Sequence, residues 1–363
     1  MFYRPTKAYI NLKALRHNLQ QVKKLATASK VLAVIKANGY GHGIERVAKQ
    51  LTSADGFGVA SIDDALRLRQ KGFLHPILLL EGVFSKEELS LVTQNRLDIV
   101  VHSQYQVEWL LNQRFEQSQN IWIKINTGMH RLGFEPDSIS SVIAQLQSSE
   151  NPFNFTLMSH FSSADVATEV GEKTTLKQLS CFEKFKPDQF TASIANSAAL
   201  VRYPQSQYDW VRPGIMLYGA GLGTQLLNRY NLQPVMRLES TIQALHWVAK
   251  GESVGYGQKW TASEDSLIAV VAIGYGDGYP RHAKNGTPVE IHNQKVPLAG
   301  TVSMDMITVD VTKIANQVSI HDKVILWGSQ QLSVDEVAEH SGTIGYELLC
   351  GVTQRVPHIE ENA

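Results

Sequence analysis

The run VLAVIKANGYGHG, Val31 to Gly43, decides how the rest of the chain is read. Val31 to Ile35 have the length and unbroken apolarity of a strand buried on both faces. They lead into Lys36, followed by a turn with three glycines, a tyrosine and a histidine. Lysine is seldom buried without a partner. Lys36 therefore reads either as a reactive amine ending a core strand or as a side chain snorkelling to water. His42, in the same turn, reads as a structural residue.

Upstream, Leu12, Leu15, Leu19, Val22 and Leu25 recur at helical spacing behind Asn11, a residue suited to an N-cap. Downstream, short apolar runs return at 57–60, 77–80, 99–101, 121–125, 155–158, 190–192 and 210–211. Most are separated by amphipathic segments, two of them opening on cap pairs, Ser61 with Asp64 and Ser85 with Glu88. Continuous apolar strands with helix-length crossovers predict a parallel sheet. Eight such units predict closure into a (β/α)8 TIM-type barrel over residues 10–228. Beyond Asn228 the texture changes. Strands are expected at 238–245, 267–273, 289–291, 306–311 and 323–327, broken by Gly, Pro and Asp turns, with one short helix from Ser333 to His340. The expected second domain, 229–363, is mostly β.

Composition narrows the function. The 363 residues are 43% hydrophobic and 19% charged, with a formal net charge of zero. That balance argues against nucleic acid or an anionic membrane as partner. Cys181 and Cys350 are the two cysteines, too few for a disulfide framework or a thiolate cluster. No apolar signal-peptide core and no 18-residue apolar span is seen, which predicts a cytoplasmic protein. No Walker loop and no tight histidine spacing speaks for nucleotide or metal.

Barrel chemistry sits at the C-terminal ends of the strands. The residues following the apolar runs are Lys36 and Tyr40, then Lys124, Asn126 and Arg131, then His160, then Asn196 and Ser197, then Arg212, Gly214, Ile215 and Tyr218. The Ser197 hydroxyl and the backbone of Gly214 and Ile215 read as an anion cradle after the last two strands.

AVIKANGYGHG, WIKINTGMHRLGF, MSHF, IANSAA, VRPGIMLYG, VGYG, IGYGDGYPR, SMDM and GTIGYELLC stand in one order along nearly the whole chain. This series resembles the bacterial alanine racemases, fold-type III pyridoxal phosphate enzymes. The resemblance implies the barrel and β domain already described, with residues 1–9 joining the latter, in a head-to-tail homodimer with shared active sites. It implies that Lys36 carries the cofactor and serves as one base, and that Tyr256 from the partner subunit serves as the other. Tyr40, Asn196, Ser197, Gly214, Ile215 and Tyr346 resemble the phosphate-binding set. Arg212 resembles the residue facing the pyridine nitrogen, with His160 behind it. Arg131 and Met304, the latter from the partner subunit, resemble residues around the cofactor oxygen and the substrate carboxylate, Tyr275 and Arg281 the entrance, and Lys124 a lysine carbamylated in many relatives. Ser303 stands where many relatives have cysteine.

The implied reaction is interconversion of L- and D-alanine, for cell-wall peptidoglycan or alanine catabolism. Two bases on opposite faces suit a change of hand at Cα. Racemisation of another amino acid, a decarboxylase on a related fold and non-catalytic cofactor binding are the competing readings.

Overall fold

The computed structural model describes residues 3–362. The chain forms two compact units. One comprises Leu19–Gly39 and Gly43–Leu217. The other takes the chain up to Asn18, the short piece Tyr40–His42, and everything from Tyr218 onward.

β1 (Lys7–Asn11) belongs to the second of these. The first unit is the barrel. Its strands are β2 (Lys30–Val34), β3 (Gly56–Val59), β4 (Ile77–Leu79), β5 (Asp98–Val101), β6 (Gln119–Lys124), β7 (Phe153–Met158), β8 (Thr191–Ser193) and β9 (Trp210–Val211). They pair in parallel in sequence order, and β9 returns to β2. A parallel bridge between Asn196 and Arg212, with Arg212 N–H donating to Ala195 O at 2.9 Å, closes the ring. The fold is thus a (β/α)8-like barrel, as the strand count predicts. Leu32, Leu78, Val100, Trp122 and Met158 form a buried cluster contributed by five strands, and Trp210 packs on it. That is why these strands read as unbroken apolar runs.

The cap signals held unevenly. Asn11 Oδ1 accepts from Ala14 N–H at 3.1 Å, and Ser333 accepts from Glu336 N–H at 3.1 Å. Ser61 precedes its helix, Ile62–Gln70, without a side-chain cap bond. At Ser85 only the returning half of the box forms, the Ser85 N–H donating to Glu88 Oε1 at 3.1 Å.

The second unit is mostly β. It contains β10 (Met236–Val248), β11 (Ser253–Val254), β12 (Trp260–Thr261), β13 (Ser266–Val271), β14 (Pro288–Ile291), β15 (Gln294–Pro297), β16 (Ile307–Asp310), β17 (Lys323–Trp327) and β18 (His358–Glu361). The main path runs β15-β14-β17-β10-β1-β18, and β13 bridges β10 to β16. β1 lies antiparallel to β10 and parallel to β18, so N-terminal residues complete the sheet. The expectation for residues 1–9 includes residues 1 and 2, which lie outside the described residues. Besides the expected short helix, Val334–His340, a second one at Gly345–Gly351 carries Tyr346. No helix among the described residues is long and apolar enough to cross a membrane.

Candidate active site

Lys36 follows β2 and opens a turn that no helical or strand pattern predicts. Ala37, Asn38, Gly39 and Tyr40 all have φ between 51° and 63°, a left-handed turn. Such a conformation costs roughly 1–2 kcal/mol for each non-glycine residue, and strain of this kind concentrates at functional sites. Local bonds hold it: Gly39 N–H reaches Ile35 O at 2.9 Å, and Asn38 Oδ1 accepts from Ile44 N–H at 3.1 Å. Gly39 is required twice over. Its φ is positive, and a Cβ there would lie 2.9 Å from Val47 Cγ2.

The same end of the barrel gathers cations. Lys124 is the last residue of β6 and only 7% exposed. Burial, then the charges of Arg212, Arg131 and Lys36, lower its ammonium to a pKa of about 8. Glu81 is the one acid pulling the other way. Arg131 sits on the exposed loop after β6. That loop is shaped by Asn126, whose Oδ1 accepts from the N–H groups of Gly128 and His130, and pinned by Phe134 N–H on Lys124 O at 2.8 Å.

Arg212 follows β9 and is buried. Nη1 donates to Ser193 Oγ, Nη2 donates to Ser159 O, both at 2.5 Å, and Nη2 also reaches Ile194 O. Burial lowers its pKa to about 10, so it stays charged at neutral pH. Its Nη2 lies 3.3 Å from His160 Nδ1. Because arginine only donates, Nδ1 must be the imidazole acceptor. That fits the titration: burial and then Arg212, Lys124, Arg131 and Lys36 hold His160 well below its ordinary pKa. Arg212 Nε has no hydrogen-bond partner among the described residues.

Asn196 and Ser197 open the helix Ser197–Arg202. Asn196 Oδ1 caps it through Ala199 N–H, and Ser197 Oγ accepts from the N–H groups of Gly214 at 2.9 Å and Met216 at 3.4 Å. Asn196, Ser197, Gly214 and Ile215 are therefore neighbours, with the Gly214 N–H directed at the Ser197 hydroxyl.

In the β-rich unit, Tyr40 stacks on Tyr218 with ring centroids 4.7 Å apart, and Tyr346 lies 5.9 Å from Tyr40. Burial drives both Tyr40 and Tyr218 above the ordinary phenol pKa, so both stay protonated. His42 is buried under Tyr218, its Nδ1 2.7 Å from Tyr40 O, which supports the structural reading.

Three loops of this unit run together. Tyr275 N–H donates to Ser303 O, Gly276 N–H to Met304 O, and Thr301 Oγ1 to Tyr256 O. They bring the segments bearing Tyr256, Tyr275 and Met304 side by side. Tyr256 is 69% and Met304 53% exposed. The Arg281 guanidinium stands 6.0 Å over the Tyr275 ring.

Sequence reading passed over the supports. Asp277, fully buried, takes Arg4 in a two-pronged pair at 2.7 and 3.2 Å and Arg355 at 3.0 Å. Arg4 and Arg355 go on to Asp305, one to its carbonyl and one to its carboxylate. The Tyr275 loop is thereby tied to the Met304 loop. Only the acid within GYGDGY was a signal. The two serines that receive Arg212, Ser159 and Ser193, gave no signal of that kind.

The donor set favours an anion: Arg212, Arg131 and Lys36 bear on Lys124, with Glu81 the one acid acting on it in the opposite sense. A phosphorylated cofactor with a ring acceptor fits it, the spare Arg212 Nε being a donor for such an acceptor.

Comparison with known proteins agrees. Residues 10–221 match the family model "Alanine racemase, N-terminal domain", and residues 235–360 match "Alanine racemase, C-terminal domain". The chain is 47% identical to the alanine racemase of Vibrio cholerae over 96% of each chain. It is 46% identical to that of Nitrosococcus oceani over 98% of this chain and 99% of the other. The crystal structure of biosynthetic alanine racemase from Pseudomonas aeruginosa superposes with a TM-score of 0.93 at 42% identity, covering 99% of this chain and all of that one. With matches over both units, the chain belongs to the alanine racemase family, fold-type III enzymes that work with pyridoxal phosphate.

Proposed function

We propose that the family's reaction, interconversion of L- and D-alanine, runs here with Lys36 and the partner subunit's Tyr256 as the two bases. The observation that carries this reading is the cation-rich end of the barrel, built around a lysine on a strained left-handed turn. Pyridoxal phosphate, when bound, supplies the electron withdrawal that makes the Cα–H of alanine acidic. The protein places groups around that carbon. Lys36 Nζ takes or returns the proton on one face, and the phenol of the partner subunit's Tyr256 does so on the other.

Asn196, Ser197, Gly214 and Ile215, with Tyr40 and Tyr346, are the residues we assign to the phosphate. Arg212 faces the ring nitrogen, and His160, kept neutral, takes the second place behind it. A guanidinium there donates without surrendering its proton, which leaves the ring nitrogen unprotonated and holds the chemistry to proton exchange. Arg131 and the partner's Met304 receive the substrate carboxylate, and Tyr275 and Arg281 line the entrance. The exposed Tyr256, Met304 and Met306 on the β-rich unit suit a face that a second copy covers. The "biosynthetic" relative favours a supply of D-alanine for peptidoglycan.

Lys124 is the lysine we assign to carbamylation. An amine with a pKa of about 8 is substantially neutral near pH 8, the form that adds carbon dioxide. The product is an anion, which would turn repulsion of Arg131 into attraction. Carbon-13 bicarbonate should give a carbamate NMR signal that disappears in Lys124→Met.

Loaded protein should racemise L-alanine, followed by the circular dichroism of the substrate, in preference to serine and lysine. In Tyr256→Phe, racemisation should fall about 10²–10⁴-fold in both directions. In heavy water that variant should still exchange the Cα proton of D-alanine, the enantiomer assigned to Lys36. Equal residual exchange from both enantiomers would point to one mobile base. Mixing Lys36→Ala with Tyr256→Phe subunits should restore up to about a quarter of wild-type activity, since half of randomly mixed dimers hold one intact site. No recovery after proven subunit exchange would end the shared-site reading.

A further inference from the structure

A cavity of about 1070 Å³ opens in the β-rich unit, bounded on one side by β10, β17 and β14. Glu239 on β10 and Glu290 on β14 both register with Ile325 on β17, so the three stand in one row across the sheet. Both glutamates are buried, at 4% and 3% exposure. Their circumstances differ. Glu239 has two cations, Arg237 and Lys323, and Arg237 also pairs with Glu361 at 2.9 Å. Glu290 has none within 4 Å among the described residues. Its one donor is the Ser329 hydroxyl on Oε2, and Oε1 accepts nothing.

A carboxylate buried with a single neutral donor is costly, and it is stabilised by taking up a cation. The charged residues around this cavity leave room for one. Glu239, Glu290 and Glu361 stand against Arg237 and Lys323, a deficit of one positive charge. The space is far larger than a bare ion needs, since one water occupies about 30 Å³. It has the size of an organic-ligand site. Amide side chains on its walls, among them Asn228, Asn293 and Gln331, supply donors and acceptors for a polar body.

We propose that this cavity is a second ligand site, taking one small organic cation whose N–H group rests on the Glu290 carboxylate. The site is distinct from the cation-rich barrel end, which carries the opposite charge preference.

The test is calorimetric titration of the cofactor-loaded enzyme with trimethylammonium. As a tertiary amine it cannot condense with pyridoxal phosphate as a primary amine does. Saturable binding is expected at one site per chain. Uncharged tert-butanol, of nearly the same shape, should bind at least tenfold more weakly. Glu290→Gln should lower trimethylammonium affinity at least tenfold while racemase activity and the thermal unfolding profile stay near wild type. Ile325→Trp, which fills the cavity floor and leaves the carboxylate in place, should weaken binding as well. It decides the matter together with the tert-butanol comparison should Glu290→Gln fold poorly. Absence of saturable binding to the wild-type enzyme, equal binding of tert-butanol, or unchanged affinity in both variants would overturn the proposal.

Discussion

The two ends of the barrel spend charge in opposite ways. At the N-terminal ends of the strands, Asp55, Asp209, Arg69 and Asp98 have structural partners. Asp55 accepts from Val31 N–H and Asp209 from Ala192 N–H, both at 2.8 Å, at the edges where strands begin. Arg69 gives its protons to four backbone carbonyls, those of Phe73, His75, Asn95 and Arg96. Asp98, first in β5, takes Asn120 Nδ2 at 2.8 Å. At the C-terminal ends, the charges of Arg212, Arg131 and Lys36 act against that of Lys124, and Glu81 acts in its favour. Both ends contain displaced pKa values. Burial raises Asp98 to about 6 and lowers Lys124 to about 8. What separates them is partnership: Asp98 is displaced by burial against hydrogen bonds that favour its charge, whereas like charges reinforce burial at Lys124. Charge left uncompensated in this way marks the end that awaits an anionic guest.

The largest effect should come from the cation at the centre of that contrast. Lys36→Ala should lower racemisation by about 10⁴-fold or more, the upper range for a positioned acid–base group. Borohydride treatment of the loaded wild-type protein should leave a pyridoxyl label on Lys36, found by peptide mass spectrometry. A label on Lys124 would exchange the roles of the two lysines.

Arg212→Gln comes next. It abandons Ser159 O and Ser193 Oγ in a buried setting, for a loss of roughly 3 kcal/mol in denaturant unfolding. It also removes the strongest like charge acting on Lys124, whose pKa should climb from about 8 toward its ordinary value of 10.5. The pH dependence of Lys124 acetylation, read by mass spectrometry, checks the direction. An unmoved Lys124 would remove Arg212 from the causes and leave burial with Arg131 and Lys36.

The smallest effect is expected at the opposite end. In Asp98 the folded pKa lies above the unfolded one, so the stabilising contribution is complete below about 3.8 and lost as pH rises through about 6. Asp98→Asn keeps the oxygen that accepts from Asn120 and carries no charge at any pH. Relative to wild type it should gain roughly 1–2 kcal/mol between pH 4 and 7, after allowance for partial solvent contact. Parallel stability curves for the two proteins would show that Asp98 is adequately paired.

Much of this was legible in order along the chain. Unbroken apolar runs with helix-length spacers report burial on both faces of a strand, so the barrel could be counted. Period and turn residues marked the mostly β second half and its first short helix, and the ordered motifs identified the family and nominated Lys36, Lys124, His160, Ser197 and Arg212. These are local properties, or properties of strand ends that topology brings to one rim. The left-handed turn at 37–40 was not legible, because it depends on bonds that Gly39 makes to Ile35 and Asn38 to Ile44. Nor was the Arg212 acceptor set, which joins Ser159, Ser193 and Ile194 at the ends of β7 and β8, or the pair between Arg4 and Asp277, 273 residues apart. The Glu290 carboxylate reads in sequence as an ordinary strand glutamate beside a valine. Periodicity reports which face of an element is buried, but not what meets a polar group once it is buried. Charge partnership, pKa displacement and cavity walls depend on distances across the chain, and only the tertiary structure decided them.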